Sequence, residues 1–135
     1  MEDDAYKKEY KIWGNYADLL NSTDFEGFFY EREVWWCVLG VNIGSEQDGT
    51  GENFERPVLI IKKIRKDLAF IAPLTTKISD YPNRINTSCT GVNSQILMDQ
   101  IRVVSSKRFM RKIAFLKKST FQEVLLDFVR LILKQ

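Results

Sequence analysis

The stretch Arg56-Pro57-Val58-Leu59-Ile60-Ile61-Lys62-Lys63-Ile64-Arg65-Lys66-Asp67-Leu68-Ala69-Phe70-Ile71-Ala72-Pro73-Leu74-Thr75-Thr76 decides the fold. Residues 57–64 and 68–74, mostly apolar, flank the polar triplet Arg65-Lys66-Asp67, so they read as the two strands of an antiparallel hairpin with a short connection. Upstream, residues 34–41 are rich in β-branched and aromatic side chains, as a buried strand would be. Trp35 and Trp36 fall in that strand, so at least one should be core. Residues 42–55 form a loop by composition. Downstream, residues 81–92 hold Pro, Asn, Thr, Ser and Gly and read as irregular at least in part. Residues 94–104 form a further strand and residues 112–116 a last short one.

Helical spacing appears only at the two ends. Tyr6, Tyr10, Trp13, Ala17 and Leu20 recur at steps of four and three, which is one face of an amphipathic helix. Residues 21–26 break the pattern, with Thr23 and Glu26 spaced to cap a further short turn. Ser119, with Gln122 three residues on, opens a C-terminal helix whose Phe121, Val124, Leu125, Phe128 and Ile132 follow the same spacing. There is no internal repeat. Short strands between two terminal helices predict an α+β chain that is mainly β, a curled antiparallel sheet with helices packed on it.

Composition narrows the chemistry. At 135 residues, with 44% apolar and 28% charged positions, the chain suits one compact domain. No apolar run approaches the roughly 20 residues of a membrane span. Met1-Glu2-Asp3-Asp4 is acidic and no apolar signal region follows it, so the expected location is the cytoplasm. Histidine is absent, which excludes a His-bearing metal site and a Ser-His or Cys-His nucleophile. Cys37 and Cys89 form no CxxC pair and cannot alone fill a zinc site, so free thiols and no metal or cofactor are expected. Residues 1–55 hold 4 basic and 13 acidic groups, a net −9, whereas residues 56–135 hold 16 and 5, a net +11. The basic part is the one whose field would attract a polyanion, although such lysines also serve simply to solvate a surface.

The Gly-rich loop Gly44-Ser45-Glu46-Gln47-Asp48-Gly49-Thr50 is no phosphate loop, because Thr50 stands where such a loop needs lysine. It leads instead into Arg56-Pro57-Val58-Leu59-Ile60-Ile61, then Pro73-Leu74-Thr75-Thr76, then Asp99-Gln100-Ile101-Arg102. This ordered set resembles the PemK/MazF family of toxins. Arg32-Glu33-Val34-Trp35-Trp36 is similar to that family's first strand, and Ser106-Lys107-Arg108 with Arg111-Lys112-Ile113 fits its late segment. The resemblance runs over residues 32–132, which leaves residues 1–30 as a helical extension to a toxin domain of residues 31–135.

What the resemblance implies is specific. The expected fold is a small SH3-like barrel that pairs into a homodimer, with single-stranded RNA in a groove across the interface and a cognate antitoxin as protein partner. The family's catalytic arginine falls on Arg56, and its catalytic serine or threonine on Thr75, with Thr76 beside it. Residues 44–47 match the mobile loop bordering the groove, which makes Ser45 and Gln47 RNA contacts and Glu46 a general-base candidate. Gln100 and Arg102 match a Gln-x-Arg pair lining the same groove, and Asp99 occupies the place of a carboxylate that is catalytic in one branch. The histidine of that branch has no counterpart here. Asn83, Arg84, Asn86 and Thr87 lie where the family contacts bases and offer readers of unpaired RNA. The implied activity is metal-independent RNA cleavage, since RNA carries its own nucleophile in the 2'-hydroxyl and a guanidinium can meet two phosphate oxygens.

Other readings of the same residues stand beside these. Arg56 could pair with Glu52 or Glu55, Thr75 and Thr76 could be ordinary strand ends, and Asp99 could balance Arg102. The same scaffold also serves non-catalytic toxins that poison gyrase by protein contact, and an idle relative could persist as a regulator. Two departures from the commoner family pattern bear on the groove: residues 51–55 are additional, and residues 81–92 differ from the family stretch that contacts bases. The acidic residues 1–30, with 7 acidic against 3 basic groups, could either cap the barrel or cover the groove.

Overall fold

The computed structural model describes residues 6–134. Among them, α1 (Tyr10–Asn21) is followed by β1 (Glu33–Val38), β2 (Glu55–Arg65), β3 (Leu68–Thr75), β4 (Arg84–Thr87), β5 (Ser94–Leu97), β6 (Arg102–Ser105) and β7 (Phe109–Phe115), and α2 (Lys118–Leu133) ends the chain. The predicted hairpin is present: β2 and β3 pair antiparallel from Val58↔Pro73 to Arg65↔Leu68 across the turn at Lys66 and Asp67. Register shifts between Ile60 and Lys62 and between Lys63 and Arg65 bend it, as irregular pairing does in small barrels.

Strand β3 forks. Its first half pairs with β6 from Leu68↔Ser105 to Ile71↔Arg102, while Leu74 and Thr75 pair with β5. From β6 a 3-10 turn at Ser106–Arg108 leads into β7, which lies on β1. The circuit β1, β2, β3, β6, β7 therefore returns to β1, giving the small SH3-like barrel that was expected, with β4 and β5 added at one end. The fork corrects one expectation. Residues 94–104 are not a single strand, because β5 and β6 serve different halves of β3 and the 3-10 helix Met98–Gln100 makes the step between them. Strand β7 also begins at Phe109 rather than at 112, since Phe109 is core. Within the irregular stretch 81–92, residues 84–87 do pair, with β5.

Both faces of β2 are buried over residues 58–61, which is why that stretch is a continuous apolar run rather than an alternation. Leu59 and Ile61 join Val34, Leu74, Met98 and the α2 residues Phe121 and Val124 in one cluster. Val58 and Ile60 join Phe29, Trp35, Cys37, Leu39 and Phe109 in another. Cys37 is fully buried, Cys89 is half-buried, and both thiols are free. Helix α2 starts at Lys118 after Lys117, with no side-chain cap, so the expected Ser119/Gln122 box does not form. Phe128 packs on Phe70, whereas Leu126, Val129, Ile132 and Leu133 stay exposed as an apolar ridge.

At the other end, Trp13, Tyr16 and Leu20 of α1 pack on Val38, Val41 and Phe54. Phe54 comes from the additional residues 51–55, so the extra segment and the N-terminal helix build one cap. A Cβ at Gly40 would collide with the Trp13 indole, and one at Gly49 with the Phe54 carbonyl, so close approach requires glycine at both places. Tyr6 is not part of the helix, contrary to the periodicity, because residues 6–9 are not helical. Thr23 caps no new turn: its hydroxyl donates to the Leu19 carbonyl at 3.0 Å and closes α1 instead. Among the described residues, no helix is long and apolar enough to cross a membrane.

Candidate active site

Strand pairing positions the first wall of the site. Arg56, the second residue of β2, lies opposite Cys37 of β1, and its guanidinium reaches over β3, where Nη1 donates to the Leu74 carbonyl at 3.3 Å. Its Nε donates to the Asp48 carbonyl at 2.9 Å. Two backbone carbonyls thus fix the plane of the fork, and Nη2 makes no hydrogen bond among the described residues. The alternative ion pair is not made, since Glu55 pairs with Arg111 at 3.6 Å instead. Burial pulls the pKa of Arg56 below the ordinary guanidinium value, opposed by Asp48 and Tyr6, and the group stays a cation at any working pH.

Arg56 stands where two clefts meet. One, of about 460 Å³, is lined by Trp36, Pro57, Leu74, Thr75, Thr76 and Ile113 among others. Thr75 is half-buried, and its hydroxyl accepts the Lys77 N–H at 3.2 Å, while Thr76 is exposed. Trp36 is half-buried here, with Arg111 over its ring at 5.1 Å, so Trp35 is the core member of the pair and Trp36 the open one.

The second cleft, of about 430 Å³, lies between Arg56 and the Gly-rich loop and is lined by Ser45, Glu46, Gln47 and Asp48 with Tyr6 and Lys8. This loop has no strand of its own; a backbone bond from the Gly49 N–H to the Gly40 carbonyl at 2.9 Å and several side chains hold it. Gln100 accepts the Gln47 N–H at 3.0 Å and donates to the Ser45 carbonyl at 3.1 Å. Asp48, only 6% exposed, accepts from Asn42 N at 2.6 Å, Tyr6 Oη at 2.8 Å and Lys8 Nζ at 3.0 Å. Burial alone would raise its pKa, but the bonds from Lys8, Tyr6 and Asn42 hold it below the usual carboxylate range. Glu46 caps its own turn, accepting the Ile43 N–H at 2.9 Å through Oε1.

The sequence-predicted residues therefore separate into groups. Arg56, Thr75, Thr76, Ser45, Glu46 and Gln47 line the two joined clefts. Gln100 touches the same loop, but as its clamp. Asp99 is exposed in the 3-10 helix, lines neither cleft and makes no ion pair with Arg102 among the described residues. Arg102 lies half-buried on β6 opposite Ile71 and likewise lines neither. Arg84 and Asn86 are engaged internally: the buried Gln95 accepts from Arg84 Nη1 at 3.1 Å and donates to Asn86 Oδ1 at 3.0 Å. Arg84 also stacks over Tyr81 at 5.4 Å. Asn86 and Thr87 instead border a separate hollow of about 460 Å³ that shares Ser94 with the Arg56 cleft.

Four contributors escape a reading by motif. Asp48, Tyr6, Lys8 and Gln95 act through hydrogen bonds across the chain, and only the position of Asp48 in a glycine-rich loop gives any local signal.

Residues 30–132 match the family model described as PemK-like, MazF-like toxin of type II toxin-antitoxin system. Among solved structures, the chain is similar to MazF from Deinococcus radiodurans, with 20% identity, a TM-score of 0.66, and coverage of 79% of this chain and 98% of that one. It is similar also to an endoribonuclease from Mycobacterial species (15% identity, TM-score 0.61, coverage 83% and 99%). A third is an endoribonuclease in complex with its cognate antitoxin from Mycobacterial species (14%, TM-score 0.58, coverage 80% and 99%). No curated protein matches the chain significantly.

Proposed function

Because this chain belongs to the PemK-like, MazF-like toxins of type II toxin-antitoxin systems, we propose that it acts as an endoribonuclease that cuts single-stranded RNA without a metal ion. The observation that carries the reading is Arg56, a guanidinium held in plane by two carbonyls, at the junction of two clefts and with Nη2 free among the described residues. A phosphodiester seated on it would have its non-bridging oxygens met by a preoriented fork. The adjacent 2'-hydroxyl then attacks phosphorus as it gives up its proton, the bond from phosphorus to the 5'-oxygen breaks, that oxygen takes a proton from solvent, and the products are a 2',3'-cyclic phosphate and a 5'-hydroxyl.

In this scheme Arg56 stabilises the charge that gathers on the phosphorane, and the Thr75 hydroxyl bonds a non-bridging oxygen. Glu46 removes the 2'-proton. It is preferred to Asp99 because it lines the same cleft as Arg56 and keeps Oε2 available while Oε1 caps the loop. Ser45, Gln47 and Thr76 border the path of the strand. The exposed ridge Leu126, Val129, Ile132 and Leu133 supports pairing of two copies. A cognate antitoxin is the expected regulator, as in the Mycobacterial complex.

The test is incubation of the purified protein with a long single-stranded RNA in EDTA, followed by mapping of the 5' ends. Discrete cuts with 5'-hydroxyl ends are expected. Cleavage abolished by EDTA would overturn the metal-independent scheme, and sedimentation of a fully active monomer at micromolar concentration would overturn the paired one.

A further inference from the structure

Tyr6 combines exposure with a fixed end. The residue is 61% exposed, yet its hydroxyl is tethered, donating at 2.8 Å to a carboxylate 42 residues away. That carboxylate, Asp48, is itself fixed by Lys8 and by the Asn42 N–H. Lys8 also donates to the Asn42 carbonyl at 2.9 Å, and Tyr10 donates to the same carbonyl at 2.8 Å. The segment before α1 is thereby tied to the Gly-rich loop at several points. The Tyr6 ring stands in the wall of the cleft that contains Arg56, with its orientation already set.

An aromatic face held open and rigid beside a phosphate-binding cation has a specific use. Single-stranded RNA is gripped by stacking its bases on such faces while the backbone follows positive charge, and a ring with two torsions already fixed loses little entropy on binding. We propose that Tyr6 is a base-stacking platform, which holds an unpaired nucleobase next to the phosphate seated on Arg56. The inference rests on the reading of this cleft as an RNA-cleaving site and adds the N-terminal segment to its specificity-determining surface. The phenol also suits a site for a polyanion. Desolvation of its hydroxyl, together with Asp48, pushes its pKa up to about 12, so the ring stays neutral in the presence of phosphate.

The experiment uses the full chain and an RNA spanning a mapped cut, made uncleavable by a 2'-deoxy nucleotide at that position. The fluorescent base 2-aminopurine is walked through the positions on both sides. Stacking predicts quenching at one position, lost in Tyr6→Ala and Tyr6→Leu and retained in weakened form in Tyr6→Phe, which keeps the face without its bond to Asp48, with affinity about tenfold weaker for Tyr6→Ala. Unchanged quenching and affinity in Tyr6→Ala would overturn the proposal. So would faster cleavage of the normal RNA by Tyr6→Ala, since that outcome makes the segment a cover rather than a platform. Arg56→Ala separates the two levels. If it binds the RNA as tightly as the parent protein, the cleft is not the RNA site and the functional reading fails. If Arg56→Ala weakens binding and Tyr6→Ala does not, only the platform fails.

Discussion

Arg56 and Thr75 stand on β2 and β3, strands in the middle of the sheet, whereas the loop that faces them, residues 42–50, has no strand partner of its own beyond a bridge from Thr50 to Glu55. The first wall takes its geometry from backbone register, which no single side chain controls. The second takes its geometry from a few side chains reaching in from far away: Gln100 from the 3-10 helix, Tyr6 and Lys8 from before α1, and Arg56 from the opposite wall. A site built this way has a rigid half, where the charge resides, and an adjustable half, where single substitutions or protons act.

The largest effect should come from the rigid wall. Arg56→Ala is expected to slow RNA cleavage on the order of 100 to 1000-fold, while the two freed carbonyls cost about 1 kcal/mol of stability. Single-turnover cleavage with a parallel denaturation curve measures both, and an unchanged rate removes Arg56 from the chemistry. Next comes the cap that carries the N-terminal segment. Trp13→Ala empties the contact with Gly40 and Phe54 and should cost about 3 kcal/mol in urea unfolding. A loss below about 1 kcal/mol would mean that α1 is only loosely docked.

Acid should act on the adjustable wall through Asp48. Its pKa is lowered in the folded protein, so its contribution is fully present above the ordinary carboxylate range and is lost as pH falls through the lowered value. Tyr6 has the opposite sense, with a raised pKa whose contribution is lost only as pH rises from about 10 toward about 12. Protection of the loop amides, measured against the intrinsic exchange rate at each pH, should therefore stay flat through neutral pH and fall in acid. Asp48→Asn should show the low protection already at neutral pH. If the acid response survives in Asp48→Asn, another group carries it.

The smallest effect is assigned to Gln100. Its replacement by Ala frees the Ser45 and Gln47 backbone groups at a partly solvated position, at about 1 kcal/mol. If Gln100 is only a clamp, cleavage falls severalfold with no change in the preferred cut. A changed cut sequence would make it a reader of RNA after all.

The same contrast explains what a reader of the sequence could see. The hairpin was legible because the apolar runs around Arg65-Lys66-Asp67 admit few other structures, whereas Arg56 and Thr75 were singled out only by the resemblance to the PemK/MazF family. The loop's anchors were not, because bonds between residues 40 and 42 positions apart leave no periodic trace. Tyr6 even misled, since its spacing from Tyr10 fits a helix that begins only at Tyr10. Arg84 and Asn86 were offered as base readers because they lie where the PemK/MazF family contacts bases. Nothing local announces that the buried Gln95 engages both. The break between β5 and β6 was hidden for a similar reason, as apolar pattern alone cannot tell one strand from two that pair with different halves of a third.

The state of the two thiols has a practical consequence. Cys37 is sealed in the barrel, and burial pushes its pKa up to about 12, so almost no thiolate is available to react at neutral pH. Cys89 is half-buried at the edge of a hollow formed with Lys117 and Thr120, one residue before Thr90, which borders the Arg56 cleft. Toward a maleimide the native chain should behave as a single-thiol protein, and a fluorophore attached there would report on cleft occupancy without any engineered cysteine.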